Sequence, residues 1–268
     1  MVRVEHVSKS FEKKSGEKKS IFGKEEQTKQ AILSDVTINI EDNQFVCILG
    51  KSGCGKSTLL NLLAGYIRAD NGAIWVNNEE VKGPSANRGV VFQEHALFPW
   101  YTVRENIELG PKKIRKRADY KEITEKYLDM IGLKSYENYY PNQLSGGMKQ
   151  RVGIARAFAN SPEILLMDEP FSALDPDTRE MMQNELLNLW KVEKKMVVFI
   201  THSVNEAVKL ADKVVVLGAG HVLKEVKIDL DRPRDKQSPQ FIAYAQEFRK
   251  LIHGEDGSEE EMREEEEK

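Results

Sequence analysis

The sequence has little cysteine and no long apolar run. Its two cysteines, Cys47 and Cys54, cannot form a disulfide framework and favour a reducing compartment. No stretch of the 268 residues approaches the roughly 20 apolar positions that cross a bilayer. The first residues, MVRVEHVSKSF, lack the apolar region of a secretory signal. We therefore expect any role at a membrane to be peripheral.

The chain also lacks a strong net charge, but its charges are unevenly distributed. The formal net charge is -3, and 40% of the residues are hydrophobic, enough to bury a core. Residues 255–268 carry nine acidic and two basic side chains, which leaves a net charge of +4 on the remaining body. That body has no basic stripe interleaved with aromatic residues. The charges predict a disordered acidic tail and argue against nucleic acid as a partner.

The hydrophobic pattern alternates between predicted strands and predicted helices. The predicted strands are residues 2–7, 31–40, 45–49, 73–76, 89–92, 164–167, 197–200 and 214–217. The predicted helices are residues 57–67, 122–131, 148–158, 180–190 and 204–211. This order favours an α/β fold with a parallel sheet and a helical insertion at about 94–158. Residues 11–30 read as a loop, and the chain from Asp231 onward reads as a polar extension.

A glycine-rich loop follows the predicted strand at 45–49 and opens the helix at 57. Its residues match G-x-x-x-x-G-K-[ST] and are Gly50, Lys51, Ser52, Gly53, Cys54, Gly55, Lys56 and Ser57. Glycines let backbone amides surround a phosphate, and the helix N-terminus favours an anion there. Lys56 would supply positive charge to the β- and γ-phosphates, Ser57 would bind Mg²⁺, and Thr58 would reach the α-phosphate. We read Cys54 as a small filler of the loop.

Two further segments carry chemistry that fits a nucleoside triphosphate. An apolar strand ends in Asp168, a candidate Mg²⁺ ligand, and Glu169, a candidate to polarise an attacking water. Ser145, Gly146 and Gly147 open another helix, where they form either a second anion site or an ordinary helix cap. Two phosphate-type sites with one nucleotide lysine indicate that the sites meet between two subunits.

Together these segments resemble the nucleotide-binding subunit of an ABC transporter. The resemblance covers about residues 2–230 and includes the Walker A loop, the signature at Ser145 and the Walker B strand ending in Glu169. It adds Gln93 in the Q-loop, Asp175 in the D-loop and the switch histidine His202. It implies a P-loop NTPase (RecA-like) core with an antiparallel β subdomain and a helical insertion subdomain.

The resemblance also implies residue roles and two bound species, ATP and Mg²⁺. Gln93 would contact the metal and the attacking water, and His202 would hold the γ-phosphate and orient Glu169. The signature residues 145–147 would bind the γ-phosphate held by the opposite subunit, and Asp175 would help to organise that interface. The implied division is a nucleotide-binding domain at 1–230, an extension at 231–254 and a tail at 255–268.

Three details bear on how far the resemblance reaches. Phe11 matches the aromatic position that stacks on adenine, although Phe22, in the long loop that follows, could take this role. The signature ends in Met148 where many relatives have Gln, as in the nitrate, sulfonate and taurine branch of importers. The stretch Asp229-Leu230-Asp231-Arg232-Pro233-Arg234 also matches that branch.

These features predict an ATP-hydrolysing subunit on the cytoplasmic face of the membrane, powering uptake of a small anionic solute. Its partners would be integral-membrane permease subunits, a second copy of itself and, indirectly, an extracytoplasmic solute-binding protein. Aromatic residues between Gln93 and Arg104 would receive a coupling helix of the permease, unless they pack within the helical insertion. The alternatives are an exporter ATPase with a separate permease and a soluble, non-transport ABC ATPase.

Overall fold

The computed structural model describes residues 1–12, 29–93, 96–114 and 117–254. The strands are β1 (Val2–Glu12), β2 (Lys29–Ile40), β3 (Phe45–Leu49), β4 (Asn71–Val76), β5 (Glu79–Glu80), β6 (Arg88–Val91), β7 (Ile164–Asp168), β8 (Met196–Thr201), β9 (Lys213–Gly218) and β10 (His221–Lys227). The helices are α1 (Lys56–Ala64), α2 (Val103–Glu108), α3 (Pro111–Ile114), α4 (Arg117–Met130), α5 (Gly146–Ala159), α6 (Pro176–Glu193), α7 (Val204–Leu210) and α8 (Pro239–His253).

Four of the strands form an antiparallel sheet in the order β2-β1-β4-β5. Alternate residues of β1, including Val2 and Val4, are buried, which is the period expected of a sheet with one face against a core. Gly72 has a φ of 78°, and a Cβ there would lie 2.3 Å from the carbonyl oxygens of Glu5 and His6. Only glycine lets β4 approach β1 this closely.

The other six strands form a second sheet in the order β10-β9-β3-β8-β7-β6. The five strands from β9 to β6 are mutually parallel, and β10 is antiparallel to β9. All five residues of β3 are buried, as its unbroken apolar sequence predicts for a strand covered on both faces. The carboxyl ends of β3, β8 and β7 therefore lie side by side at one edge of the sheet.

Each face of the parallel sheet packs into a different hydrophobic core. Phe45, Cys47 and Leu49 face a core that includes residues of α2, α4, α5 and α8. Val46 and Ile48 face a second core, which includes α1 and the buried face of the antiparallel sheet. The fold is thus a P-loop NTPase core with an antiparallel β subdomain on one side and the helical insertion on the other.

The pattern-based expectations missed several elements. The strands β5 and β10 and the helix α8 were not predicted, and the expected polar extension contains a helix at residues 239–253. Phe241, Ala245 and Phe248 lie on the buried side of α8 at helical spacing. Of the expected loop at 11–30, residues 11–12 belong to β1 and residues 29–30 to β2. Phe22 and the acidic tail lie outside the described residues. Across the described ranges, no helix is both long enough and apolar enough to cross a membrane.

Candidate active site

The loop between β3 and α1 has the shape that its glycines allow. Gly53 and Gly55 have φ values of 79° and 106°, and Gly55 is the N-cap of α1. A Cβ at Gly50 would lie 2.3 Å from the carbonyl oxygen of Leu217 on β9. These positions favour glycine for two reasons, the left-handed backbone at 53 and 55 and the close approach of another strand at 50. The loop thus presents the N-terminus of α1 to the carboxyl edge of the sheet.

Lys56 is buried in this loop, with its side chain folded back over the backbone. Its ammonium donates hydrogen bonds to the carbonyl oxygens of Gly50, at 2.7 Å, and Lys51, at 2.9 Å. Its Nζ also lies 3.9 Å from Oε1 of Glu169. Two of the three ammonium N–H groups are therefore directed at loop carbonyls, and the charge is held at the centre of the site, where it would meet a phosphate.

Ser57 and Asp168, which the sequence predicts as Mg²⁺ ligands, are in contact with each other across the site. The Ser57 hydroxyl donates to Oδ1 of Asp168 over 3.1 Å. Burial raises the pKa of the Asp168 carboxyl, and the Ser57 hydroxyl opposes part of that shift. A hydroxyl and a partly desolvated carboxylate are hard oxygen donors, which suits Mg²⁺ when it is also bound by phosphates and water. No cluster of three or more His, Cys, Asp or Glu metal ligands occurs among the described residues.

Glu169 has an unusual backbone and a directed side chain. Its φ is 41°, in the left-handed region that non-glycine residues rarely adopt, and its N–H donates to the carbonyl oxygen of Ile200 over 3.1 Å. Oε2 of the carboxylate lies 3.0 Å from Nδ1 of His202. This hydrogen bond lowers the pKa of Glu169 and raises that of His202. The pair is therefore favoured as a carboxylate facing an imidazolium.

One open cleft brings half of the predicted site residues together. It is lined by Phe11 and Ile32 on one side, by the phosphate loop through Thr58, and by Gln93 and Glu169. Phe11 is 44% exposed, and the Lys9 ammonium lies 5.5 Å from the centre of its ring. An exposed aromatic ring at the mouth of a phosphate cleft can stack on a base.

The signature residues are not among those that line this cleft. Ser145 is the N-cap of α5, and its hydroxyl accepts a hydrogen bond from the Met148 N–H over 3.3 Å. A Cβ on Gly147 would lie 3.0 Å from Cγ2 of Thr178, so the signature turn sits beside the first turn of α6. Asp175 is the N-cap of α6 and accepts from the Thr178 N–H over 3.0 Å. Signature and D-loop therefore form one exposed surface, separate from the phosphate loop.

A buried polar network behind His202 was not predicted. Thr201 donates to Oε2 of Glu206 over 2.6 Å, and Gln183 on α6 donates to Oε1 over 3.1 Å. Burial raises the pKa of the Glu206 carboxyl. The sequence spacing Ser203-x-x-Glu206 resembles a capping box, in which the glutamate would reach back to the helix start. The carboxylate turns inward instead, where it holds the turn that carries His202.

The family model described as ABC transporter matches residues 33–172. The chain belongs to the ABC transporter ATP-binding family. Its three expected site segments, the phosphate loop, the signature and the Walker B strand, all fall inside the matched region.

Curated relatives are similar to this chain over a longer range than the family model matches. An uncharacterized ABC transporter ATP-binding protein of Methanocaldococcus jannaschii is 46% identical over 95% of this chain and 92% of its own. A taurine import ATP-binding protein of Jannaschia sp. is 43% identical over 82% and 86%. A nitrate import ATP-binding protein of Synechocystis sp. is 44% identical over 83% and 88%.

A solved structure with the same fold holds the products of ATP hydrolysis. An ATP-binding cassette in a dimeric post-hydrolysis state, bound to ADP and phosphate, is 33% identical with a TM-score of 0.71. The match covers 86% of this chain and all of that one. The protein is therefore an ABC ATPase subunit that binds and hydrolyses ATP.

Proposed function

We propose that this ATPase subunit powers the import of a small anionic solute through a multi-subunit transporter. The ATPase centre rests on one observation, that Ser57–Asp168 and Glu169–His202 are hydrogen-bonded pairs at the ends of adjacent parallel strands. The solute class rests on the relatives named for nitrate and taurine, since taurine is itself a sulfonate. The variant signature ending in Met148 and the 229–234 stretch support the same branch.

In this proposal the residues of the cleft, and His202 beside Glu169, have separate tasks. Lys56 and the loop residues 50–58 hold the phosphates, and Phe11 stacks on the adenine ring. Glu169 polarises the attacking water, and His202 orients it and contacts the γ-phosphate. Gln93 is exposed at the cleft. It contacts the attacking water and couples the nucleotide site to the permease.

Mg²⁺ would be held by Ser57 and Asp168, with Gln93 as a further oxygen donor. When bound, the ion neutralises charge that develops on the phosphates. The chain itself contributes the Ser57 hydroxyl and Oδ1 of Asp168, which lie 3.1 Å apart. Because burial disfavours the negative charge of Asp168, a cation beside this carboxylate would be stabilising.

The complete site would form between two copies of the chain. The signature surface, with Ser145, Gly146 and Gly147, is exposed and apart from the cleft of its own chain, so it is available to the γ-phosphate held by the partner. The dimeric cassette bound to ADP and phosphate supports this arrangement. Asp175 would lie at the same interface, where it organises the turn beside the signature.

The permease would dock on the aromatic segment that follows Gln93. Trp100 is 66% exposed, and the rings of Phe98, Trp100 and Tyr101 lie 5.7–6.3 Å from one another. A coupling helix could cover this cluster, which is costly to leave in water. That placement puts the chain at the cytoplasmic face of the membrane, with a solute-binding protein on the other side.

Reconstitution of the whole transporter tests the direction and the solute. The chain is co-expressed with candidate permeases, and the complex that forms is placed in proteoliposomes with internal ATP and Mg²⁺. We expect the cognate binding protein to drive uptake of labelled taurine, an alkanesulfonate or nitrate, and the Glu169→Gln complex to be inactive. Efflux without a binding protein would replace import with the exporter alternative, and failure to bind any permease would favour a non-transport ATPase.

A further inference from the structure

The stretch 229–234 has no task in the ATPase centre, yet its two arginines make several backbone contacts. Arg234 donates through Nη1 to the carbonyl oxygens of Val208 and Ala211, both at 2.6 Å. Arg232 donates through Nη2 to the carbonyl oxygen of Leu210. These three carbonyls belong to the last turn of α7, whose final oxygens have no partner within the helix. The arginines therefore cap α7 at its carboxyl end.

The two guanidinium groups are themselves held in place. Arg232 donates to Oδ1 of Asp212 over 2.7 Å and lies 4.8 Å from the Trp190 ring centre. Oδ2 of the same Asp212 accepts from the N–H of Phe45, the first residue of β3, over 2.8 Å. Burial, and then the neighbouring charge of Arg232, lower the pKa of Arg234 to about 10, so the Arg234 guanidinium stays charged at neutral pH. Cations at the carboxyl end of a helix also interact favourably with the negative end of its dipole.

The other end of α7 carries the switch histidine. Ser203 is the N-cap of α7, and Thr201 accepts the Ser203 N–H over 2.9 Å. His202 lies between them and contacts Glu169. A helix of seven residues is too short to be stable without tertiary contacts. The arginines that hold the carboxyl end of α7 therefore also hold its amino end, next to His202.

We propose that Arg232 and Arg234 are positioning residues for His202, acting by clamping α7 at its carboxyl end. Neither residue lines the cleft that contains the phosphate loop. Their removal lets α7 shift, and the imidazole then loses its alignment with Glu169. Because the phosphate loop lies between β3 and α1 and not on α7, we expect variants of these arginines to keep ATP binding. The inference rests on the proposed role of His202.

Steady-state ATPase kinetics of the full chain, with Mg²⁺ and varied ATP, provide the first test. We expect Arg234→Gln to lower kcat by about tenfold and to leave KM within about twofold. Arg234→Lys keeps the charge but loses the planar guanidinium whose Nη1 bonds both carbonyls, so its kcat should fall between those of Arg234→Gln and the native chain. Arg3→Gln removes an arginine of the antiparallel sheet and should leave both constants unchanged. A raised KM with native kcat for Arg234→Gln would overturn the proposal.

A double-variant cycle separates positioning from general destabilisation. If the arginine acts through His202, adding Arg234→Gln to His202→Ala should lower kcat no further. A further drop in the double variant overturns the arginine proposal alone. A native rate for His202→Ala overturns the role of His202 and the arginine proposal together. Should Arg234→Gln fail to fold, Arg234→Lys and Arg232→Lys take its place in the same cycle, because both retain the buried charge.

Discussion

Glu169 combines a left-handed backbone with a carboxylate directed at His202, and both features belong to the proposed chemistry. We expect Glu169→Gln to bind ATP normally and to lose hydrolysis by about 100-fold or more, because the amide is isosteric but is a poor base. Fluorescent-nucleotide titration and phosphate release measure the two properties. Glu163→Gln, on a solvent-exposed acid outside the cleft, is the control. Near-native hydrolysis by Glu169→Gln would contradict the assignment.

The pKa shifts of the same pair predict how its stabilising effect depends on pH. The lowered pKa of Glu169 makes its contribution complete above the ordinary carboxyl range and lost as pH falls through its folded pKa. The raised pKa of His202 makes its contribution complete below about 6.5 and lost as pH rises through its folded pKa. The Tm difference between the native chain and His202→Gln should therefore be largest at about pH 5–6.5 and should shrink above it. A difference that grows toward alkaline pH would contradict the ion pair.

Single residues also mark the limit of what the sequence could predict. The phosphate loop and the carboxylate pair were predictable because glycine spacing and an apolar strand with an acidic end are local signals. Glu206 was not, because nothing in its neighbourhood distinguishes a helix cap from a carboxylate in the core. Its burial depends on Gln183, 23 residues away, and on the packing of α6 against α7.

At the scale of elements, α8 ties the carboxyl-terminal part of the chain to the core. Phe248 is fully buried, whereas Ile242 on the same helix is 42% exposed. We expect Phe248→Ala to lower the free energy of unfolding by about 3–5 kcal/mol through cavity formation. Ile242→Ala, the matched control, should change it by about 0.5 kcal/mol or less. Urea denaturation measures both, and equal effects would show that α8 is not packed as described.

The pattern of predicted and missed elements has a physical explanation. The strand β3 and the helices that follow β3, β7 and β8 were predictable because continuous apolar runs and helical periods survive in short windows. β10 was missed because none of its residues is buried, so its HVLKEVK sequence carries no alternation. α8 was missed although Phe241, Ala245 and Phe248 recur at helical spacing, because the segment was read together with the polar residues that precede it from Asp231 onward.

For the whole molecule, the proposed dimer can be separated from the nucleotide site of one chain. A Cβ at Gly146 meets no atom within 4 Å, so Gly146→Asp is tolerated by the isolated fold and complements the α5 dipole. In the dimer the new carboxylate would face the partner's γ-phosphate. With ATP and Mg²⁺, Glu169→Gln should elute as a dimer in size-exclusion chromatography, and Glu169→Gln with Gly146→Asp as a monomer that still binds ATP. A dimer in both cases would contradict the two-copy site.

The permease contact is a second prediction at this scale. Trp100→Ala should weaken co-purification with the permease by about tenfold or more, since an exposed aromatic anchor carries a large share of interface energy. Val192→Ala changes a side chain that is equally exposed, at 67%, but lies on α6 away from the aromatic cluster, and should have no effect. Thermal unfolding confirms that both variants are folded. Equal co-purification of Trp100→Ala and the native chain would remove this surface from the proposal.

The contacts at the carboxyl end of α7 have a consequence for the order in which the protein is made. Synthesis proceeds from the N-terminus, so the phosphate loop, both carboxylates and His202 are made before Arg232 and Arg234. Until those arginines are added, the carbonyls of Val208, Leu210 and Ala211 lack the guanidinium partners that they have in the folded chain. The histidine would therefore be set only after residues 232–234 are made, later than every other residue of the proposed ATPase centre.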